Sequence, residues 1–197
     1  MKMNKEALLL VDVQNDFCPG GALAVPEGNK IIFILNRYIQ AFQEVHLPIF
    51  ASRDWHPSVT KHFKAYGGVW PPHCIQGTKG AEFHPALILP KETEIVSKGM
   101  DPSKDSYSAF QGYGPDGTVF ATLLKRRGVR CLFIGGLATD YCVKYSVLDA
   151  IREGFEVTLL EDAICGVEVS PGDSEKARRE MVQSGAKPIS FQQLALR

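Results

Sequence analysis

The pattern of apolar and polar positions changes period several times along the 197-residue chain. A nearly unbroken apolar run at 7–13 reads as a strand buried on both faces. At 29–43, Ile31, Ile32, Leu35, Ile39 and Phe42 recur with the spacing of one helix face, and a second strand is expected at 48–52. Between 54 and 90 the periodicity dissolves into a proline-punctuated stretch, too long for an ordinary connection, and such a length points to function. A strand at 94–97 follows. From residue 119 the alternation is regular: helix 119–127, strand 129–134, helix 141–152, strand 156–160, helix 174–184 and a last strand near 188–190. This predicts an α/β fold, with three α/β/α layers around a mostly parallel six-stranded sheet, in a single domain over 1–197. Ligand chemistry in such sheets gathers at the carboxyl ends of the strands. Asp12, Asp54, Lys98 and Cys142 fall at or just past the ends of the first four.

Charge and cysteine content narrow the classes. Lys plus Arg and Asp plus Glu both number 22, and no block of like charge marks a nucleic-acid or membrane-surface partner, so a small neutral or weakly charged ligand is expected. The apolar runs at 7–11 and 31–35 are far too short to span a bilayer, and MKMNKEA lacks a signal-peptide pattern, which leads to an expected cytoplasmic location. The five cysteines, at 18, 74, 131, 142 and 165, are odd in number, scattered and never paired as Cys-x-x-Cys. They are read as reduced thiols, with one available for catalysis.

Cys142 follows an apolar strand and Gly135-Gly136, and precedes Val143, Val147, Leu148 and Ile151 at helical spacing, with Thr139 or Asp140 as a cap. A helix N-terminus favours a thiolate and offers N–H groups to an oxyanion. A lone cysteine is also a good packing residue, and this segment alone favours that role. Asp12 and Lys98, each by itself a turn or strand-end residue, change the balance: a buried carboxylate, ammonium and thiol together divide one proton and generate a nucleophile. The segment DWHPSVTKHFKAYGGVWPPH at 54–73 collects Asp54, His56, His62 and His73, donor types suited to zinc, iron or manganese. Phe17, Trp70 and Tyr107 are candidates for a flat slot around a planar ring, whereas His46 and His84 read as surface residues. No Gly-x-Gly-x-x-Gly or phosphate-loop fingerprint is present.

VDVQNDFCPGGAL at 11–23, RDWHP at 53–57, WPPHC at 70–74, SKG at 97–99 and GGLATDYCV at 135–143 together resemble the nicotinamidase (pyrazinamidase) family of the isochorismatase-like cysteine hydrolases, over nearly the whole chain. The resemblance implies an isochorismatase-like, Rossmann-like fold and an amidohydrolase that converts nicotinamide to nicotinate and ammonia in NAD salvage, with pyrazinamide as a further substrate. It implies a triad of Asp12, Lys98 and Cys142, and an oxyanion hole from the N–H groups of Ala138 and Cys142 beside a cis Leu137-Ala138 peptide. One divalent transition-metal ion per chain is expected, zinc first and iron or manganese as alternatives, held by Asp54, His56 and His73 in a loop region at about 54–90. His62 is a fourth ligand that some members share. The metal would hold the pyridine nitrogen, with Phe17, Trp70, Tyr107 and Leu137 around the substrate. The partner expected is this small molecule, with room left for a homo-oligomer. The rivals are another amidase or isochorismatase-type hydrolase, a metallohydrolase using metal-bound hydroxide, and a metabolite-binding regulator without turnover.

Overall fold

The computed structural model describes residues 5–196. Strand β1 (Lys5–Val11) is followed by helix α1 (Ile32–Glu44), β2 (Ile49–Asp54), β3 (Glu94–Lys98), α2 (Phe120–Arg126) and β4 (Val129–Leu137). Helix α3 (Lys144–Arg152), β5 (Glu156–Cys165), α4 (Asp173–Gln183) and β6 (Lys187–Ile189) complete the chain. The six strands form one sheet in the order β3-β2-β1-β4-β5-β6, and every pairing is parallel, as expected from the alternation of strands and helices.

The apolar run of β1 has two uses because successive side chains face opposite sides of the sheet. Leu8 and Leu10 join a core with Leu35, Tyr38, Ile39 and Phe42 of α1. Ala7, Leu9 and Val11 join a second core with Phe120 and Leu124 of α2 and Val147 and Ala150 of α3, to which Met181 of α4 also belongs. Burial of both faces is why the strand carries no polar alternation. None of the helices among the described residues is long and apolar enough to cross a membrane.

The boundaries differ from the sequence expectation where backbones approach closely. Strand β4 does not stop at Ile134 but runs through Gly135 and Gly136 to Leu137. Glycine permits this: a Cβ on Gly136 would stand 2.2 Å from the Val11 carbonyl oxygen, at φ +129°. Strand β5 is longer than expected because it pairs with this extension, Leu137 opposite Cys165. The helix expected from residue 141 starts as a π-helical turn, Thr139–Val143, and becomes α-helical only at Lys144. Neither Thr139 nor Asp140 caps it. The amphipathic segment at 29–43 likewise begins with a 3-10 turn, Gly28–Ile31, before α1.

Gly136→Ala is expected to destabilise the protein by ~3 kcal/mol, from overpacking against β1 together with a strained φ. A thermal melt should register this as a Tm lower by ~6–12 °C. A Tm unchanged within ~2 °C would contradict the close approach of β1 and β4.

Candidate active site

The strand order reverses between β1 and β4, and the chains leaving those two strands open a crevice at their carboxyl ends. Asp12 leaves β1 there, in the left-handed region at φ 48°, with its N–H donating to the Ser52 carbonyl at 3.2 Å. Cys142 enters from the other side in the π turn after β4. Asp54 and Lys98, register partners, close β2 and β3.

Lys98 sits at the centre and is fully buried, not at a solvated strand end. Its Nζ lies 2.9 Å from Asp12 Oδ2, 2.5 Å from Asp54 Oδ1, 3.4 Å from Cys142 Sγ and 3.3 Å from the Ser106 carbonyl oxygen. Burial alone would discharge the lysine, but Asp12 and Asp54 outweigh it and hold the ammonium charged well above the ordinary range. For Asp12 the balance tips the other way. Burial raises its carboxyl pKa despite Lys98 and the Ser52 hydroxyl, which donates to Oδ1 at 2.7 Å. Burial also pushes the Cys142 thiol well above its usual range, with Lys98 only partly opposing. Desolvation thus opposes the thiolate expected from a helix N-terminus.

Asp54 belongs to two clusters. While Oδ1 faces Lys98, Oδ2 lies 3.7 Å from His56 Nε2 and 3.8 Å from His73 Nε2. Burial opposes its charge, but Lys98, His56 and His73 hold its carboxyl well below the usual carboxylate range. Gln14, buried one residue past Val13, fixes this strand end: its amide donates to the Asp54 carbonyl and accepts from the Asp54 N–H, both at 2.8 Å. The three imidazoles are anchored alike through Nδ1, which faces the Gly99 carbonyl for His56 (3.0 Å), the Pro71 carbonyl for His73 (2.8 Å) and Asp105 Oδ1 for His62 (2.6 Å). Donation from Nδ1 leaves each Nε2 as a lone pair.

The donor set fits a divalent metal ion. One ring-nitrogen donor from each of His56, His62 and His73 lies within 4.8 Å of the others. His56 Nε2 is buried without a hydrogen-bond partner. Two donors on bonds of ~2.1 Å at the tetrahedral angle stand ~3.4 Å apart, close to the spacings of Asp54 Oδ2 from His56 and His73. Burial lowers the pKa of His62, and that of His73 to about 4, so both rings are neutral and able to ligate at neutral pH. A histidine held through Nδ1 is the usual outer-shell arrangement of a metal site.

A cavity opens beside both clusters. Asp54, His62, His73, Ala138 and Cys142 line it. Phe17, Leu23 and Val167 make one apolar wall, and Trp70, Tyr107 and Tyr141 an aromatic one. The Trp70 indole N–H donates to the Tyr107 hydroxyl at 3.0 Å, and Tyr141 packs on both rings. Leu137, expected against the substrate, is absent from this lining: its side chain points into the core beside Gly28, and Ala138 faces the cavity instead. The Leu137-Ala138 peptide is cis.

Gln14, Ser52, Leu23, Tyr141 and Val167 were not singled out by the sequence reading. Ser52 carried a signal, as the lone polar residue in an apolar strand. Val167 carried none, because its place is set by Asp140, whose carboxylate accepts from the Val167 and Glu168 N–H groups at 2.9 Å each rather than capping α3. His46 is exposed as expected, and His84 is half-buried, its Nδ1 accepting from the Ala86 N–H.

Comparison with known proteins gives a consistent set. The isochorismatase domain model matches residues 6–193. A nicotinamidase of Escherichia coli K12 is 42% identical over 200 residues, covering 93% of this chain and 94% of the relative. The crystal structure of a Pyrococcus horikoshii pyrazinamidase in complex with zinc superposes with a TM-score of 0.88 at 48% identity, over 95% of this chain and 99% of that one. A yeast nicotinamidase bound to the inhibitor nicotinaldehyde gives a TM-score of 0.84 at 26% identity, over 94% of this chain and 99% of that one.

Elemental analysis should find about one divalent ion per chain, in line with a single mononuclear site. Asp54→Ala and His73→Ala should each lose it during gel filtration, while His62→Ala measures the fourth donor separately. Retention of a full equivalent of metal by His73→Ala would exclude this donor set.

Proposed function

The chain belongs to the isochorismatase domain family, and we infer that its reaction is the hydrolysis of nicotinamide to nicotinate and ammonia. The observation that carries this reading is a single cavity lined by a buried thiol, a carboxylate within 4.8 Å of it, and imidazoles that share that carboxylate. It pairs a nucleophile for a carboxamide carbon with an anchor for a ring nitrogen. The E. coli relative supports the substrate, and the P. horikoshii protein supports zinc as the ion. Release of nicotinate returns the pyridine ring to NAD synthesis, and pyrazinamide, with the same ring size and carboxamide, is a second substrate. In this reading 54–90 is the metal-binding region of a one-domain enzyme.

We assign the steps to Asp12, Lys98 and Cys142. The thiol stays protonated until substrate arrives; Asp12, made more basic by burial, then takes its proton as Sγ attacks the carboxamide carbon. The Lys98 ammonium balances the negative charge as it moves from carboxylate to sulfur. The N–H groups of Ala138 and Cys142 hold the oxyanion. Asp12 returns the proton to the nitrogen, ammonia leaves and a thioester remains. Water, deprotonated by Asp12, then hydrolyses the thioester to nicotinate and restores the thiol. When bound by Asp54, His56, His73 and His62, a zinc ion supplies a Lewis-acidic point that holds the pyridine nitrogen and so orients the ring. Phe17, Trp70 and Tyr107 pack around that ring. A dicarboxylate substrate of the isochorismatase type is disfavoured, because the cavity lining carries no lysine or arginine among the described residues.

Cys142→Ala should fold, keep its metal and lose essentially all ammonia release from nicotinamide. Alanine at Cys18, Cys131 or Cys165 should leave turnover near wild type. Appreciable activity in Cys142→Ala would remove the thiol from the mechanism.

Nicotinaldehyde separates thiolate attack from attack by metal-bound hydroxide. It keeps the ring and its nitrogen but has no leaving group, so addition of Cys142 stops at a thiohemiacetal. As a mimic of the tetrahedral intermediate it should bind ~100-fold tighter than nicotinamide, and reversibly. With carbonyl-labelled aldehyde, carbon NMR should move the signal to an sp³ carbon bonded to sulfur in wild type and not in Cys142→Ala. Equal affinity for both proteins, with no such adduct, would favour the hydroxide route.

A further inference from the structure

Asp16 takes part in none of these steps, yet its carboxylate bonds to two segments that carry cavity residues. Oδ1 accepts from the Ala22 N–H at 3.1 Å, Oδ2 accepts from the Cys74 N–H at 2.7 Å, and its own carbonyl accepts from the Leu23 N–H at 3.0 Å. Phe17 and Leu23, beside two of these contacts, form one wall of the cavity, and His73 precedes the third. The backbone turns sharply after His73, since Cys74 lies in the left-handed region at φ 45°. A side chain there is held only by its surroundings. Here the Asp16 bond to the Cys74 N–H and the bond from the His56 N–H to the Cys74 carbonyl, at 3.0 Å, fix it from both sides.

A further segment, 79–81, is packed around this carboxylate. A Cβ on Gly80 would stand 2.1 Å from Asp16 Oδ2, 2.4 Å from Cγ and 2.5 Å from Oδ1. The segment cannot retreat freely, because the Asn15 side-chain amide donates to the Lys79 carbonyl at 2.8 Å and that of Gln14 to the Ala81 carbonyl at 2.9 Å. A charged acceptor on main-chain donors makes stronger bonds than a neutral one, and here they reach Ala22 and Cys74 at once.

We propose that Asp16 is a positioning residue for the hydrolysis: it aims His73 at the metal and holds the wall of the ring slot formed by Phe17 and Leu23, with Gly80 leaving room for its carboxylate. This rests on the metal and substrate reading above. Asp16→Ala removes all the side-chain bonds, Asp16→Asn keeps one acceptor oxygen, and Gly80→Ala removes no polar atom but displaces the carboxylate.

The test measures zinc affinity by competition with a chromophoric chelator, the visible spectrum of the cobalt-substituted proteins, and KM and kcat for nicotinamide. Asp16→Ala should weaken zinc ~10-fold or more, on the scale of lost outer-shell partners. It should also alter the cobalt bands and raise KM more than it lowers kcat, with Asp16→Asn in between. Gly80→Ala should reproduce the pattern, and should add nothing in the Asp16→Ala background, where the space is empty. Zinc affinity within twofold of wild type together with unchanged KM in folded Asp16→Ala and Gly80→Ala overturns the proposal. So does a Gly80→Ala effect that persists undiminished without Asp16. If Asp16→Ala does not fold, Gly80→Ala decides by the same two readouts. Wild-type protein that neither holds zinc nor hydrolyses nicotinamide defeats the functional reading and this role with it; wild type that does both, matched by its variants, defeats the role of Asp16 alone.

Discussion

The arrangement depends on one buried ammonium. Lys98 has no solvent to stabilise it, so its charge survives only through Asp12 and Asp54, and each carboxylate in turn depends on the lysine. Removing one member of such a set typically costs ~3–5 kcal/mol, because the others are left as uncompensated buried charge. Three strands meet this demand together. The first, second and third supply Asp12, Asp54 and Lys98 at their carboxyl ends, and the parallel sheet aligns those ends. One cation faces two carboxylates and a thiol, so the charge between Asp12 and Cys142 can move beside a fixed ammonium. This is the charge balance that a proton-transferring nucleophile needs.

Asp54 makes the two halves of the cavity interdependent. Its oxygens divide between the lysine and the imidazoles, so the groups that handle the proton and those that ligate the ion share a residue. Gln14 and Ser52 look like supporting polar residues, but Ser52 bonds the Asp12 carboxylate and Gln14 fixes the main chain of Asp54. Both are buried, and Gln14 also reaches the Ala81 carbonyl.

The strand and helix alternation was legible because burial on both sheet faces writes itself as continuous apolar runs. So were the chemistry-bearing residues at strand ends, since a parallel sheet gathers them whatever the loops do. The proline-punctuated segment offered its histidines to the reader, but only the fold shows all three anchored through Nδ1. Other features were hidden for physical reasons. Leu137 sits in a quoted motif, yet a register shift between β4 and β5 precedes it and its side chain turns to the core. The π turn at Cys142 has the same 3-to-4-residue apolar spacing as an α-helix, so periodicity cannot tell them apart. Val167 lies 25 residues past the nucleophile, and only the backbone bonds of Asp140 bring it to the cavity.

The central place of β1 also sets a timetable for synthesis. Its partner on one side, β2, follows about 40 residues later, but its partner on the other, β4, lies about 125 residues downstream. At roughly 5–20 residues per second, an emerging chain exposes that edge of an apolar strand for about 6–25 s before its neighbour leaves the ribosome. The crevice between them cannot exist earlier. Nascent chains of this protein therefore carry an unsatisfied β edge until β4 emerges, and that interval gives chaperone binding or misassembly its opening.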